Sequence, residues 1–243
     1  MSERIGQTGP TLRCTGRNVS IGLGQFMRLG GLRWRSMLGV VALAAASIFA
    51  VPSIREPVLR AAGWALVVNE PVGPADIIVV SLNSGGAGTL EAADLVKNGI
   101  ATQVAVFSDP PSGEDLEFIH RGLPYEDAGA KQIRQLRWLA VANVVQIPET
   151  EAGTGSEGQV LPAWCDQHGL RSVVFVVARD HARRMRWVLD RVMKDHPTHV
   201  TVQPTRYSSF DPDRWWETRS GIRTEIIEFQ KLVLDVVLHP SSF

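Results

Sequence analysis

The stretch RSVVFVVARDHARR, residues 171–184, decides the fold. Residues 172–178 form an almost unbroken β-branched and aromatic run, which is what a strand covered on both faces of a parallel sheet needs. Asp180, His181 and Arg184 follow at once and open a helix over 181–195, in which Ala182, Met185, Val188, Leu189, Val192 and Met193 recur on one face. Ionisable groups therefore stand where a parallel strand ends, and open α/β sheets collect their ligands there.

Outward from this stretch, strand and helix patterns alternate. Residues 77–81, 103–107, 144–147 and 200–203 read as further strands, and 89–98, 127–141, 156–168 and 214–239 as helices. Residues 58–68 read as a short helix running into an edge strand before the turn at Pro71-Val72-Gly73-Pro74. This rhythm predicts an α/β domain, a mostly parallel sheet with helices on both faces in a three-layer α/β/α sandwich. In the last helix Ile222, Ile226, Phe229, Val233 and Val236 share one side, which is expected to be buried, and Pro240 ends it.

The start of the chain is of another kind. Residues 1–36 hold six arginines against the single acid Glu3, leaving 19 basic and 24 acidic residues for the rest of a chain with 25 of each. That balance gives no electrostatic reason to expect nucleic acid at the main domain, while leaving room for local basic clusters. Residues 1–33 show no period and read as a disordered tail. Residues 37–51, MLGVVALAAASIFAV, carry no charge; with Trp34 and Ile54 the apolar stretch 34–54 reaches the length of a bilayer span. The arginines before it predict a cytoplasmic tail, one transmembrane signal anchor and an exported domain over 58–240. A cleaved signal peptide, a buried core helix and a transit peptide are the alternatives. Cys14 and Cys165 are the only cysteines, too few for a disulfide framework.

Several residues carry chemistry. His181 and Arg184, three apart on a helix, together with free N–H groups of its first turn, suit a phosphate or carboxylate; Asp180 is either part of that site or the helix cap. Thr154 and Glu157 have the spacing of a capping box, and Glu157 equally suits a general base or a partner orienting His181. Ser84, Gly85 and Gly86, in the loop 83–88 after the first strand, offer amides to an anion or form a plain connection. Asp109 ends the second strand, where it joins the site or shapes a turn. Ser156 lacks the surroundings of a nucleophile elbow. Arg183, Arg186 and Arg191 are expected in solvent. Trp215 and Trp216 frame a ligand entrance, meet a membrane surface, or simply pack the helix start. His120, His168, His196, His199 and His239 fit no ligand spacing, so no metal is expected.

Taken in order, Ala75-Asp76-Ile77-Ile78-Val79-Val80 with its Ser/Gly loop, Thr154-x-x-Glu157, the apolar strand and His181-x-x-Arg184 resemble the YdcF-like family, which includes the SanA and ElyC types. The resemblance spans residues 66–238. It implies a Rossmann-like domain tethered to the bacterial inner membrane and associated with envelope or peptidoglycan precursor metabolism. The implied partners are the membrane and a phosphorylated small molecule or lipid carrier. The chain departs from the family in lacking the arginine that follows the first strand and the asparagine-rich form of the Thr-x-x-Glu motif. A non-catalytic envelope scaffold is the rival expectation, and the residues do not fix cofactor or oligomeric state.

Overall fold

The computed structural model of the chain describes residues 37, 39–41, 43, 51–148 and 154–238. The tail 1–33, most of the anchor segment 34–54, Cys14, His239 and Pro240 lie outside the described residues. Among the described residues no helix is long and apolar enough to cross a membrane. Two compact units divide the chain, 1–52 and 53–243, and the second carries the sheet.

Five strands, β1 (Ile77–Val80), β2 (Val104–Ser108), β3 (Val144–Pro148), β4 (Ser172–Val177) and β5 (His199–Pro204), form one sheet in the order β3-β2-β1-β4-β5. Every pairing is parallel, with Val80 opposite Val106 on one side and opposite Val176 on the other. The expected α/β class and all five strands are therefore present. The order reverses between β1 and β4, so the crevice beyond Val80 and Val177 is the topological switch point.

Alternate strand residues feed two cores. Ile77, Val79, Phe107, Phe175 and Val202 pack with Leu161, Trp164, Met185 and Leu189, which come from α5 (Thr154–His168) and α6 (Ala182–Val192). Ile78, Val80, Val106, Val174 and Val176 pack with Ala92, Leu95 and Leu136, from α2 (Gly85–Lys97) and α4 (Ala128–Trp138). A side-chain period of two sends neighbouring residues to opposite faces, which is why β1 and β4 are apolar throughout. Gly158 lets α5 approach α6, because a Cβ there would collide with Val188. At the entry edge Asp76 accepts the N–H groups of Arg171 and Ser172 at 2.7 and 2.8 Å, tying β1 to β4; the bonds from Arg171 and Ser172 also hold its carboxyl below the usual range.

Several expectations need correction. Helix α1 (Pro52–Ala65) starts before the expected 58, and residues 67–68 form no edge strand. That segment is instead held by Arg183, whose Nε and Nη2 donate to the carbonyls of Ala65 and Val67. Arg186 is not a solvated side chain either, since it donates to the Val200 carbonyl and pairs with Asp190. A short helix, α3 (Gly113–His120), closes on a capping box between Ser112 and Asp115 that the sequence reading passed over. Trp215 donates to the Leu59 carbonyl at 2.7 Å and meets Trp216 edge to face, so packing against α1 accounts for it.

The largest correction concerns α7 (Arg219–Leu238). Ile222, Ile226, Phe229 and Val233, expected inside, are exposed, and Val236 is half-buried. The fully buried residues of this helix are Glu225 and Glu228. It packs against α6 and the 3-10 turn Arg179–His181 with its acidic side inward.

Candidate functional site

Local sequence builds the rim at the switch point. After β1 the chain tightens into a 3-10 turn, Leu82–Ser84, and enters α2 at Gly85, whose φ of +51° a residue without Cβ adopts most easily. Residues 85–88, expected as loop, are thus the first turn of a helix. Ser84 turns inward and donates to the Ser81 carbonyl at 2.6 Å. Gln132 braces the same turn, its Nε2 lying 3.3 Å from the carbonyls of Ser81 and Gly85. After β4 a second 3-10 turn, Arg179–His181, leads into α6, while α5 begins at Thr154. Three helices thus start beyond strand ends, each with the positive end of its dipole at its start.

Thr154 and Glu157 are engaged across this rim. Glu157, 1% exposed, accepts the Ser81 hydroxyl at 3.0 Å and the Leu82 N–H at 2.9 Å through Oε1, while Oε2 is buried without a hydrogen bond. Burial pushes its carboxyl up to about 7, the bonds from Ser81 and Leu82 oppose the rise, Asp109 adds to it and His181 subtracts. Thr154 Oγ1 accepts from Arg184 Nη2 at 2.8 Å and from Asn83 Nδ2 at 3.2 Å. The motif therefore links the exit of β1 to α6.

His181 and Arg184 converge as their spacing predicts, but on an anion the chain itself supplies. Glu228 Oε2 lies 2.6 Å from His181 Nδ1 and 3.3 Å from Arg184 Nε, and Glu228 Oε1 accepts from Lys231 at 2.7 Å. Side-chain exposures are only 14% for His181, 13% for Arg184 and 6% for Glu228. Burial alone would raise the Glu228 carboxyl, yet His181, Lys231 and Arg184 outweigh it and bring it down to about 2. Arg184 Nη2 also comes within 3.4 Å of His181 Nδ1. Glu228 Oε2 and Arg184 Nε are close in distance but have no aligned hydrogen bond. An ionised carboxylate only accepts, so a proton on Nδ1 would face Glu228, whereas a bare Nδ1 would accept from Arg184 Nη2. Asp235 stands 3.8 Å from Arg184 Nη1.

The remaining expected residues lie around this centre. Asp180 is half-buried beside Glu225, whose carboxyl is pushed up to about 7 by burial and by the charge of Asp180. Asp109 ends β2 with Oδ1 buried and unpaired, its carboxyl raised by burial and by Asp127. Gly85 and Gly86 belong to the α2 turn, on the opposite face of the sheet from Thr154 and Arg184. Among the described residues no group of three or more His, Cys, Asp and Glu is placed to hold a metal ion.

Sequence reasoning missed Glu228, Lys231, Asp235, Asn83 and Gln132. A signal existed for the first three: Glu228, Lys231 and Asp235 recur at spacings of three and four, the period of one helix face. A cavity of about 670 Å³ lies elsewhere, at the end of α6 and the start of β5, with Glu70, Arg186, His196 and His199 in its wall. The switch-point rim is the stronger candidate because buried, oppositely charged side chains from three separate segments meet there. No family model matches this sequence, and no curated protein matches it.

Proposed function

We propose that this chain is a Rossmann-like domain of the YdcF type, tethered to the bacterial inner membrane with its domain extracytoplasmic, that binds a phosphorylated envelope metabolite at the switch point. The arginine-rich start and the apolar segment 37–51 support the tether. The strand order supports the place of the site. The observation that carries the reading is the Glu228 carboxylate, already held by an imidazole and a guanidinium. A cluster whose donors face one oxyanion has the donors for another.

His181 is the residue to move a proton at the bound phosphate. Nδ1 stands 2.6 Å from the Glu228 carboxylate, and a proton held on that side leaves Nε2 as the basic nitrogen, the arrangement of a general base beside an orienting acid. Arg184, positioned by Thr154, neutralises charge on the phosphoryl oxygens. Glu157 is a positioning residue, holding the β1 exit rather than touching the imidazole. Hydrolysis or transfer at phosphate follows from these roles; polyprenyl phosphate and nucleotide-like groups are the candidate ligands.

A second reading has one specific observation in its favour. Each cation of the cluster already faces a carboxylate, Arg184 facing two, so the same network could serve only to fasten α7 in a non-catalytic envelope scaffold. Calorimetric titration of the full chain with inorganic phosphate and pyrophosphate separates the two. Binding that is lost in Arg184→Gln, with circular dichroism unchanged, supports the phosphate site. Heats indistinguishable from dilution in both proteins reject it.

A further inference from the structure

Helix α7 is attached differently from every helix that packs on the sheet. Of its 20 residues the two fully buried ones are glutamates, and it contributes no member to either apolar core. Its buried contacts with the domain are ionic, Glu228 to His181 and Arg184 and Asp235 toward Arg184, with Ile227, Leu232 and Val236 only half-buried beside them. Elements with few buried apolar contacts are those that open locally at least cost.

The charge arrangement also lets α7 depart without stranding an ion on the helix itself. Lys231, on the next turn of the same helix, is bonded to Glu228 and would leave with it. What α7 would leave behind is His181 and Arg184, with Arg184 still anchored by Thr154. That residue is an open anion site.

We propose that α7 is a cover whose Glu228 carboxylate fills the anion site in the resting protein, and that the ligand is a terminal phosphate monoester, which displaces it. The inference rests on the phosphate-site reading above and adds a charge requirement to it. Glu228 is a monoanion, and a ligand of the same charge gains little by replacing an occupant tethered to the chain. A phosphate monoester carries close to two negative charges above its second pKa of about 6. A phosphodiester carries one, so the occupied site favours chain-end phosphates over internal phosphodiesters.

The test titrates the full chain, wild type and Glu228→Gln, with inorganic phosphate and with dimethyl phosphate at pH 8. The wild type is expected to bind inorganic phosphate at least about tenfold more tightly than dimethyl phosphate, since only the dianion is attracted to the two cations more strongly than the Glu228 monoanion it displaces. Glu228→Gln is expected to bind inorganic phosphate about tenfold more tightly than wild type and to narrow the gap between the two ligands. Amide exchange gives a readout that needs no variant: inorganic phosphate should speed exchange over 219–238 while slowing it over 181–192. Arg184-dependent phosphate binding that is equal in wild type and Glu228→Gln, or that leaves exchange over 219–238 unchanged, overturns the cover and leaves the phosphate site standing. No binding of inorganic phosphate by either protein removes both.

Discussion

Helices α6 and α7 lie side by side, and they are inverted with respect to each other. In α6 the apolar stripe, Ala182, Met185, Val188 and Leu189, faces the sheet and is buried. In α7 the glutamates face inward, and Ile226, Phe229, Val233 and Leu234 look out. Apolar residues recur at helical spacing in both, but they are segregated to one side much more sharply in α6. What differs is the surface each one meets: α6 meets the apolar face of β4 and β5, whereas α7 meets the start of α6, where His181 and Arg184 await a counterion. One helix is part of the core and the other is held at its edge, which teaches that an amphipathic pattern specifies two faces without saying which of them goes inside.

The comparison breaks most sharply on core truncation. Leu189→Ala should lower unfolding free energy by about 2–5 kcal/mol, through lost transfer energy and the cavity left behind. Urea unfolding followed by tryptophan fluorescence would measure it. A loss below about 1 kcal/mol would mean that α6 is no better anchored than α7.

Next in size is Glu228→Gln read as stability. Hydrogen bonds to charged groups contribute about 1.5–3 kcal/mol each, and this substitution weakens the one from Lys231 and removes the charge that faces His181 and Arg184. The cost should appear as faster amide exchange over 219–238, with exchange in β4 nearly unchanged. Equal acceleration in both places would show α7 to be one cooperative unit with the sheet. The acid limb gives the same information in the wild type. The Glu228 carboxyl, brought from 4.5 to about 2, contributes stability that is complete above 4.5 and is lost as pH falls toward 2. Exchange over 219–238 should therefore accelerate through that window ahead of the rest of the domain.

Much of this was legible in the sequence. All five strands could be read because each is a short apolar run bounded by turn residues, and His181 with Arg184 could be placed because one apolar stripe fixes the helical phase of both. Thr154 and Glu157 were found as a pair, but local spacing suggested a cap, and only the fold shows that Ser81, Leu82 and Asn83 reach them from over seventy residues away. The start of α2 was misplaced for a related reason. Gly85, Gly86 and Gly88 argue against a helix on propensity, and the tertiary setting overrides it: a Cβ at Gly88 would collide with Ser84. Glu228 escaped notice because His181 and Arg184 lie more than forty residues upstream of it.

A buried acid of the opposite tendency tests the rim beneath the cover. Glu157, raised from 4.5 to about 7 chiefly by burial, stabilises the fold fully below 4.5, and that contribution is lost as pH rises through 7. Glu157→Gln retains an oxygen to accept from Ser81 and Leu82 but has no proton to lose. At pH 8 it should be more stable than wild type by roughly 1–3 kcal/mol, with no advantage at pH 4. Unfolding midpoints across pH 4–9 that run parallel for the two proteins would show that the Glu157 carboxyl titrates as an ordinary acid.

The smallest expected effect belongs to the outer face of α7. Phe229→Ser removes an aromatic ring that is 46% exposed, and surface substitutions away from special features usually stay within about 0.5 kcal/mol. Unfolding of the full chain should therefore barely respond, in contrast to Leu189→Ala one helix away. A loss above about 2 kcal/mol would mean that the ring is covered in solution, making α7 apolar-anchored from outside and removing the ease of opening that its charged inner face implies.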